Sequence, residues 1–184
     1  MTNSLVLPLQ LTAVSIGLLV FRIVIGLSIA AHGSQKLFGW FGGHGLAGTG
    51  GFFEMIGFKP GRIFALAAGA TEVASGLLIA LGFLGPIGPA LMLSVMIVAA
   101  LSVHWKNGFF AQSNGIELTL LFGASAIALA FTGFGAFSID AVAGLDTFFT
   151  PAETIAALLL GVIGAIANLS FRRHQAATPS TAAR

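Results

Sequence analysis

Three observations predict an all-α, polytopic membrane protein. Hydrophobic residues make up 57% of the chain and charged residues only 8%, with a mean hydropathy of +0.99; soluble domains carry about 25% charged residues. Five apolar segments, each close to the roughly 20 residues that cross a bilayer as a helix, follow one another along the chain. Lysine and arginine fall consistently on one side of those segments, as they do in membrane proteins. Lipid offers the backbone no hydrogen bonds, and helices satisfy their own. The 184 residues suffice for one membrane domain and not for a second.

Composition also excludes whole classes of chemistry. No cysteine is present, which rules out disulfides, thiolate metal ligands, iron–sulfur clusters and CxxC redox chemistry. With no tyrosine either, any electron transfer requires a bound molecule or a partner. A pI of about 9.7 is also found in nucleic-acid binders, but the basic residues here are too few and scattered, and membrane topology explains them better. The N-terminus lacks the basic region and cleavage pattern of a signal peptide.

Taken in order, the first span covers residues 11–36, interrupted by Arg22 and ending in His32-Gly33-Ser34-Gln35-Lys36. Residues 38–61 hold seven glycines between Gly39 and Gly51, interleaved with Trp40, Phe41, Phe52 and Phe53. Aromatic residues beside glycine predict an interfacial segment, part loop and part short helix. Its Gly43-x-Gly45-x-x-Gly48 matches a dinucleotide fingerprint by letter, but no βαβ unit surrounds it, so no nucleotide site is read there. The second span, 62–82, carries Glu72 at its middle; Gly85-Pro86-Ile87-Gly88-Pro89 then turns into the third span, 86–104. A polar stretch leads to the fourth span, 116–134, which opens with Glu117. Residues 135–150 read as a loop. Thr150-Pro151-Ala152-Glu153 is a capping-box start for the fifth span, 152–171, and 174–184 is a polar tail containing His174.

Five spans separate the termini. With the N-terminus outside, Lys36, Lys59, Arg62, Lys106, Arg172, Arg173 and Arg184 all lie inside, and the outer loops hold only Asp140, Asp146 and Glu153.

The intramembrane charges are the costly residues, at about 2.5–3.5 kcal/mol each on insertion scales. Counted from Gly33 and Arg62 at about 1.5 Å per residue, Arg22 and Glu72 lie at similar depths of roughly 15–16 Å, which predicts an Arg22–Glu72 ion pair. Small residues at helical spacing on both segments permit close approach. Such a pair either locks two helices together or forms part of a proton or substrate path. Nearer the basic boundary, His32, Lys36, His104 and Glu117 fall within about two turns of one level, so one pocket can contain them. Imidazole and a buried carboxyl suit proton transfer to a bound molecule; interfacial snorkelling and helix capping are the alternative. No ligand spacing supports a metal or haem site, and His44 and His174 are expected to face solvent.

Arg22, then His32-Gly-x-Gln35-Lys36-Leu-Phe-Gly39, then Glu72, then His104-x-Lys106-Asn107-Gly108-Phe109-Phe110, then Gly115-x-Glu117-Leu118, resembles the DoxX family of small membrane proteins over about 18–140. The resemblance implies a four-helix membrane bundle core, to which the Pro151–Phe171 helix is one extra C-terminal transmembrane helix. It also implies a plasma-membrane protein linked to redox chemistry, since the family is named for a membrane subunit associated with a thiosulfate:quinone oxidoreductase. The implied site residues are Arg22, His32, Lys36, Glu72, His104 and Glu117. Lack of cysteine argues against thiol-based sulfur transfer by this chain alone.

Three functions follow as expectations. The first is a redox-linked subunit whose intramembrane site binds a quinone-like molecule: His32, His104 and Glu117 would handle protons, Lys36 would attract a polar group, and Arg22 and Glu72 would set the geometry. The others are a scaffold for a soluble redox protein on the cytoplasmic side, and a small-solute transporter, the last weakened by the lack of an inverted repeat. The expected partners are the lipid bilayer, a quinone, a soluble redox protein on the cytoplasmic side and further copies of the chain, with no nucleic acid.

Overall fold

The computed structural model describes residues 3–173 and is all-helical. The tail at 174–184, with His174 and Arg184, lies outside the described residues. Seven α-helices follow in order: α1 (Asn3–Phe38), α2 (Gly45–Met55), α3 (Gly61–Leu81), α4 (Ile87–Ala99), α5 (Glu117–Thr132), α6 (Ile139–Ala143) and α7 (Pro151–Ser170). The protein is a multi-pass membrane protein. Among the described residues, four helical stretches are long and apolar enough to cross a bilayer: Leu9–Phe38, Gly61–Leu81, Ile87–Asn107 and Pro151–Ser170.

Three expectations change. The helix of the first span starts at Asn3, well before Leu11. The segment expected to span at 116–134 is a helix of 16 residues, about 24 Å long, against a hydrocarbon core of about 30 Å. It still packs into the bundle along its length, with Thr119, Gly123, Ala126 and Leu129 buried. The 135–150 loop contains α6, which Ser138 caps by accepting from the Ala141 amide at 3.1 Å. The capping box at Thr150–Glu153 is present, as is the short helix expected within 38–61.

The core is built by four helices. Ile29 (α1), Ile79 (α3), Met92 and Met96 (α4), and Ala126 and Leu129 (α5) form one buried cluster. The extra helix α7 contributes to a second cluster instead, with Leu158 packed on Ala90 and Ala130. It lies against α4 at Gly161, where an added Cβ would stand 2.5 Å from the Ala90 carbonyl oxygen. Its far end is tied down by Arg172, whose Nε donates to the Ile56 carbonyl at 2.7 Å, and by the Arg173 amide, which donates to the Gly57 carbonyl at 2.8 Å. Beside this tie, Phe53, Phe58, Phe64 and Phe171 form a chain of ring contacts.

The most extensive helix contact is between α1 and α3. An added Cβ at Gly26 would stand 2.5 Å from the Gly76 carbonyl oxygen, and one at Gly33 would stand 2.6 Å from that of Gly69. The crossing glycines are seven residues apart on each helix, so over two turns the backbones meet closely, with Ala30, Leu37, Val73 and Ala80 packed beside them. In lipid, where no hydrophobic effect drives helices together, this contact supplies dispersion at short range. Gly26→Ala and Gly33→Ala are therefore expected to cost about 1–3 kcal/mol each. Gly17→Ala, with open space around its Cβ, should be neutral or slightly stabilising. Thermal unfolding of the three variants in detergent checks this; equal melting temperatures would refute a glycine-dependent crossing.

Candidate functional site

The α1–α3 crossing decides where the charges meet. Gly26 faces Gly76 and Ala80, and Gly33 faces Gly69 and Val73, an antiparallel register that carries Lys36 to Glu72. Lys36 Nζ lies 2.8 Å from Glu72 Oε1 and 2.6 Å from Oε2, the one ion pair among the described residues. The Glu72 side chain is 3% exposed and that of Lys36 is 27% exposed. The carboxylate is thus sealed between helices while the ammonium keeps one side open. One turn along α3, buried Ser75 donates to the Gly88 carbonyl at 2.9 Å and joins α3 to α4.

The predicted Arg22–Glu72 pair does not form. Arg22 falls opposite the end of α3, beside Gly82, eight to ten residues from Glu72, or about 12–15 Å along the helix. The depth estimate failed because α1 runs five residues beyond Gly33, so the two helix ends used as a common level are not level. Arg22, 3% exposed, donates instead to the carbonyls of Ala80 and, at 2.7 Å, Phe137. A guanidinium suits this place because the last carbonyls of a helix lack partners and carry its negative pole.

The remaining candidates sit at the Lys36 end. His32 is exposed, one turn before Lys36, with its ring edge-on to Phe122 of α5 at 6.1 Å, and within electrostatic range of Glu72. His104 ends a π-helical turn, Ala100–His104, through which α4 leaves its regular path. Its Nδ1 lies 2.8 Å from the Asn114 carbonyl, to which Asn107 also donates. Glu117 accepts from the Ala111 amide at 2.8 Å, while its own amide donates to the Phe109 carbonyl. His104 and Glu117 are thereby engaged in closing the 105–116 connection. Among the described residues, no hydrogen bond or ion pair joins them to His32, Lys36 and Glu72. The four helix-end residues share one end of the bundle as two polar groups.

Several polar residues went unnoticed as anchors in the sequence. Glu54 Oε1 accepts from the Gly61 amide at 3.1 Å and caps the start of α3 from α2. Asp140, 3% exposed, accepts from the amides of Leu84 and Gly85 at 3.0 and 2.6 Å, holding the α3–α4 turn. That turn needs an anchor, since Leu84 has a φ of +61°. A serine two residues before an acid was the available signal for Asp140, and it is a weak one.

The DoxX family model matches residues 17–105. The match takes in Arg22, His32, Lys36, Glu72 and His104, and ends before Glu117, α5, α6 and α7. No curated protein and no solved structure matches the chain.

Lys36→Met leaves Glu72 buried without a partner and is expected to cost up to about 3 kcal/mol. Removing both charges in Lys36→Met/Glu72→Met should cost less than the single change. Detergent melting curves of the two variants decide it: a double variant less stable than the single one would show that the ion pair is not what holds these side chains.

Proposed function

The chain belongs to the DoxX family, and from that premise we propose that it is a redox-linked membrane subunit binding a quinone-like molecule at the Lys36 end of its bundle. The observation that carries the reading is the half-open ion pair. Glu72 uses both oxygens to hold an ammonium whose other side stays accessible, one turn from an exposed imidazole. Ammonium and imidazole N–H groups are donors for a carbonyl oxygen, and imidazole exchanges protons near neutral pH. Phe122, against the His32 ring, offers an aromatic surface. A quinone supplies two-electron, two-proton chemistry, which this cysteine- and tyrosine-free chain lacks. Lys36 would donate to a carbonyl oxygen, His32 would carry the proton, and Glu72 would keep Lys36 in place. His104 and Glu117 would shape the adjoining loop, and Arg22 would act at a distance by fixing α1 on α3.

The same reading puts the protein in the plasma membrane with this end cytoplasmic. Lys36, Lys59, Arg62, Lys106, Arg172 and Arg173 all belong to it, while Asp146 and Glu153 belong to the other.

Two measurements test the proposal. Purified protein incubated with a short-chain ubiquinone analogue should retain it in native mass spectrometry. Retention should fall about tenfold in Lys36→Met and in His32→Phe, the second a surface change that leaves the ion pair intact; a wild-type protein that takes up no analogue would overturn the reading. Because the chain has no native cysteine, single-cysteine labelling reports topology directly. Thr147→Cys should react with an impermeant maleimide in intact cells and Lys106→Cys only after permeabilisation, and the reverse pattern would refute the orientation.

A further inference from the structure

The end of the bundle opposite Lys36 contains a cavity of about 640 Å³, between the last turn of α5, α6 and the first turn of α7. Small-molecule sites span about 300–1,000 Å³. Its wall combines the rings of Phe131, Phe134 and Phe149 with Asp140, Asp146 and Thr154, and no lysine, arginine or histidine lines it. We propose that this cavity binds a small lipophilic amine, a protonated nitrogen carried on an apolar body.

The first ground is Asp140. Its carboxylate is buried, yet no basic side chain lies within ion-pair distance of it among the described residues. Buried charges in an apolar setting are paired. Here two backbone amides occupy two of about four acceptor positions of the carboxylate, leaving capacity for a charged donor. Arg22, the guanidinium at this end, spends its Nη groups on the Ala80 and Phe137 carbonyls and does not line the cavity. A cation supplied from outside would complete the balance.

The second ground is Thr154, which lines the cavity from the first turn of α7. It is 4% exposed, and its side chain makes no hydrogen bond among the described residues. Arg22 Nε is the one fully enclosed side-chain atom without a partner among the described residues, so the Thr154 hydroxyl keeps contact with the cavity it lines. A ligand N–H, or the water it carries, would satisfy this one. The rings set the class of the remainder of the ligand, because aromatic faces attract cations and bury apolar groups at once. Asp146, exposed at the rim, adds a second negative charge on the approach.

The test compares 4-fluorophenethylammonium with its neutral counterpart, 2-(4-fluorophenyl)ethanol, by fluorine NMR on the full-length protein in detergent. The amine should bind at least tenfold more tightly than the alcohol. That preference should collapse in Asp140→Asn, and Thr154→Val should weaken the amine several-fold. Asp140→Asn risks loosening the α3–α4 turn, so Asp146→Lys, a reversal at an exposed position, should cut amine affinity about tenfold in a protein that melts normally. A short-chain ubiquinone analogue should not displace the bound amine, which separates this site from the quinone reading. Equal affinity for amine and alcohol, no saturable binding, or full amine preference in Asp146→Lys would each overturn the proposal.

Discussion

The contact on which the rest depends is the glycine crossing of α1 and α3. Two glycines on each helix, seven residues apart, let the backbones meet at Gly26–Gly76 and Gly33–Gly69. In lipid this is how a helix pair gains attraction, since close atoms gain dispersion that tails cannot match. The crossing also sets register. A shift of one residue would turn every glycine away from its carbonyl partner.

That register sorts the charges. Lys36 is carried to Glu72 and Arg22 to the terminal carbonyls of α3, so each costly residue meets a different kind of partner. Glu72 is neutralised by an ammonium. Arg22 is solvated by backbone oxygen at a helix's negative pole, which needs no acidic residue. The two ends of the bundle consequently differ in chemistry. One has an open cation beside an imidazole and a fringe of basic loops; the other has buried and exposed carboxylates around a cavity.

The connections at the two ends are rigid for separate reasons. Asp140 spans from α6 to the α3–α4 turn and holds Leu84 in a left-handed conformation, so the short α6 earns its place structurally. At the other end the 105–116 connection folds on itself through His104, Asn107, Asn114 and Glu117, following a π-turn that redirects α4. The fifth long segment, α7, is clamped at its end by Arg172 and Arg173 to the α2–α3 loop. These arginines, legible in the sequence as a topology signal, also make specific backbone bonds.

The sequence by itself determined the solvent, the helical class, the order of the segments and the capping box that starts α7, because hydropathy, length and local caps are properties of neighbouring residues. It also determined which charges are expensive in lipid, Arg22 and Glu72, and placed Lys36 at the boundary on the same helix as Arg22. Which partner each one takes was decided only by the tertiary structure. Arg22 and Lys36 are both cations on α1, separated by 14 positions, and composition cannot tell which of them Glu72 will meet. The answer rests on glycines brought into contact from distant parts of the chain, and a shift of about 12–15 Å in helix register exchanges one partner for the other. Asp140 shows the same limit: a loop acid in the sequence becomes a buried anchor because α6 returns it to a turn 55 residues earlier.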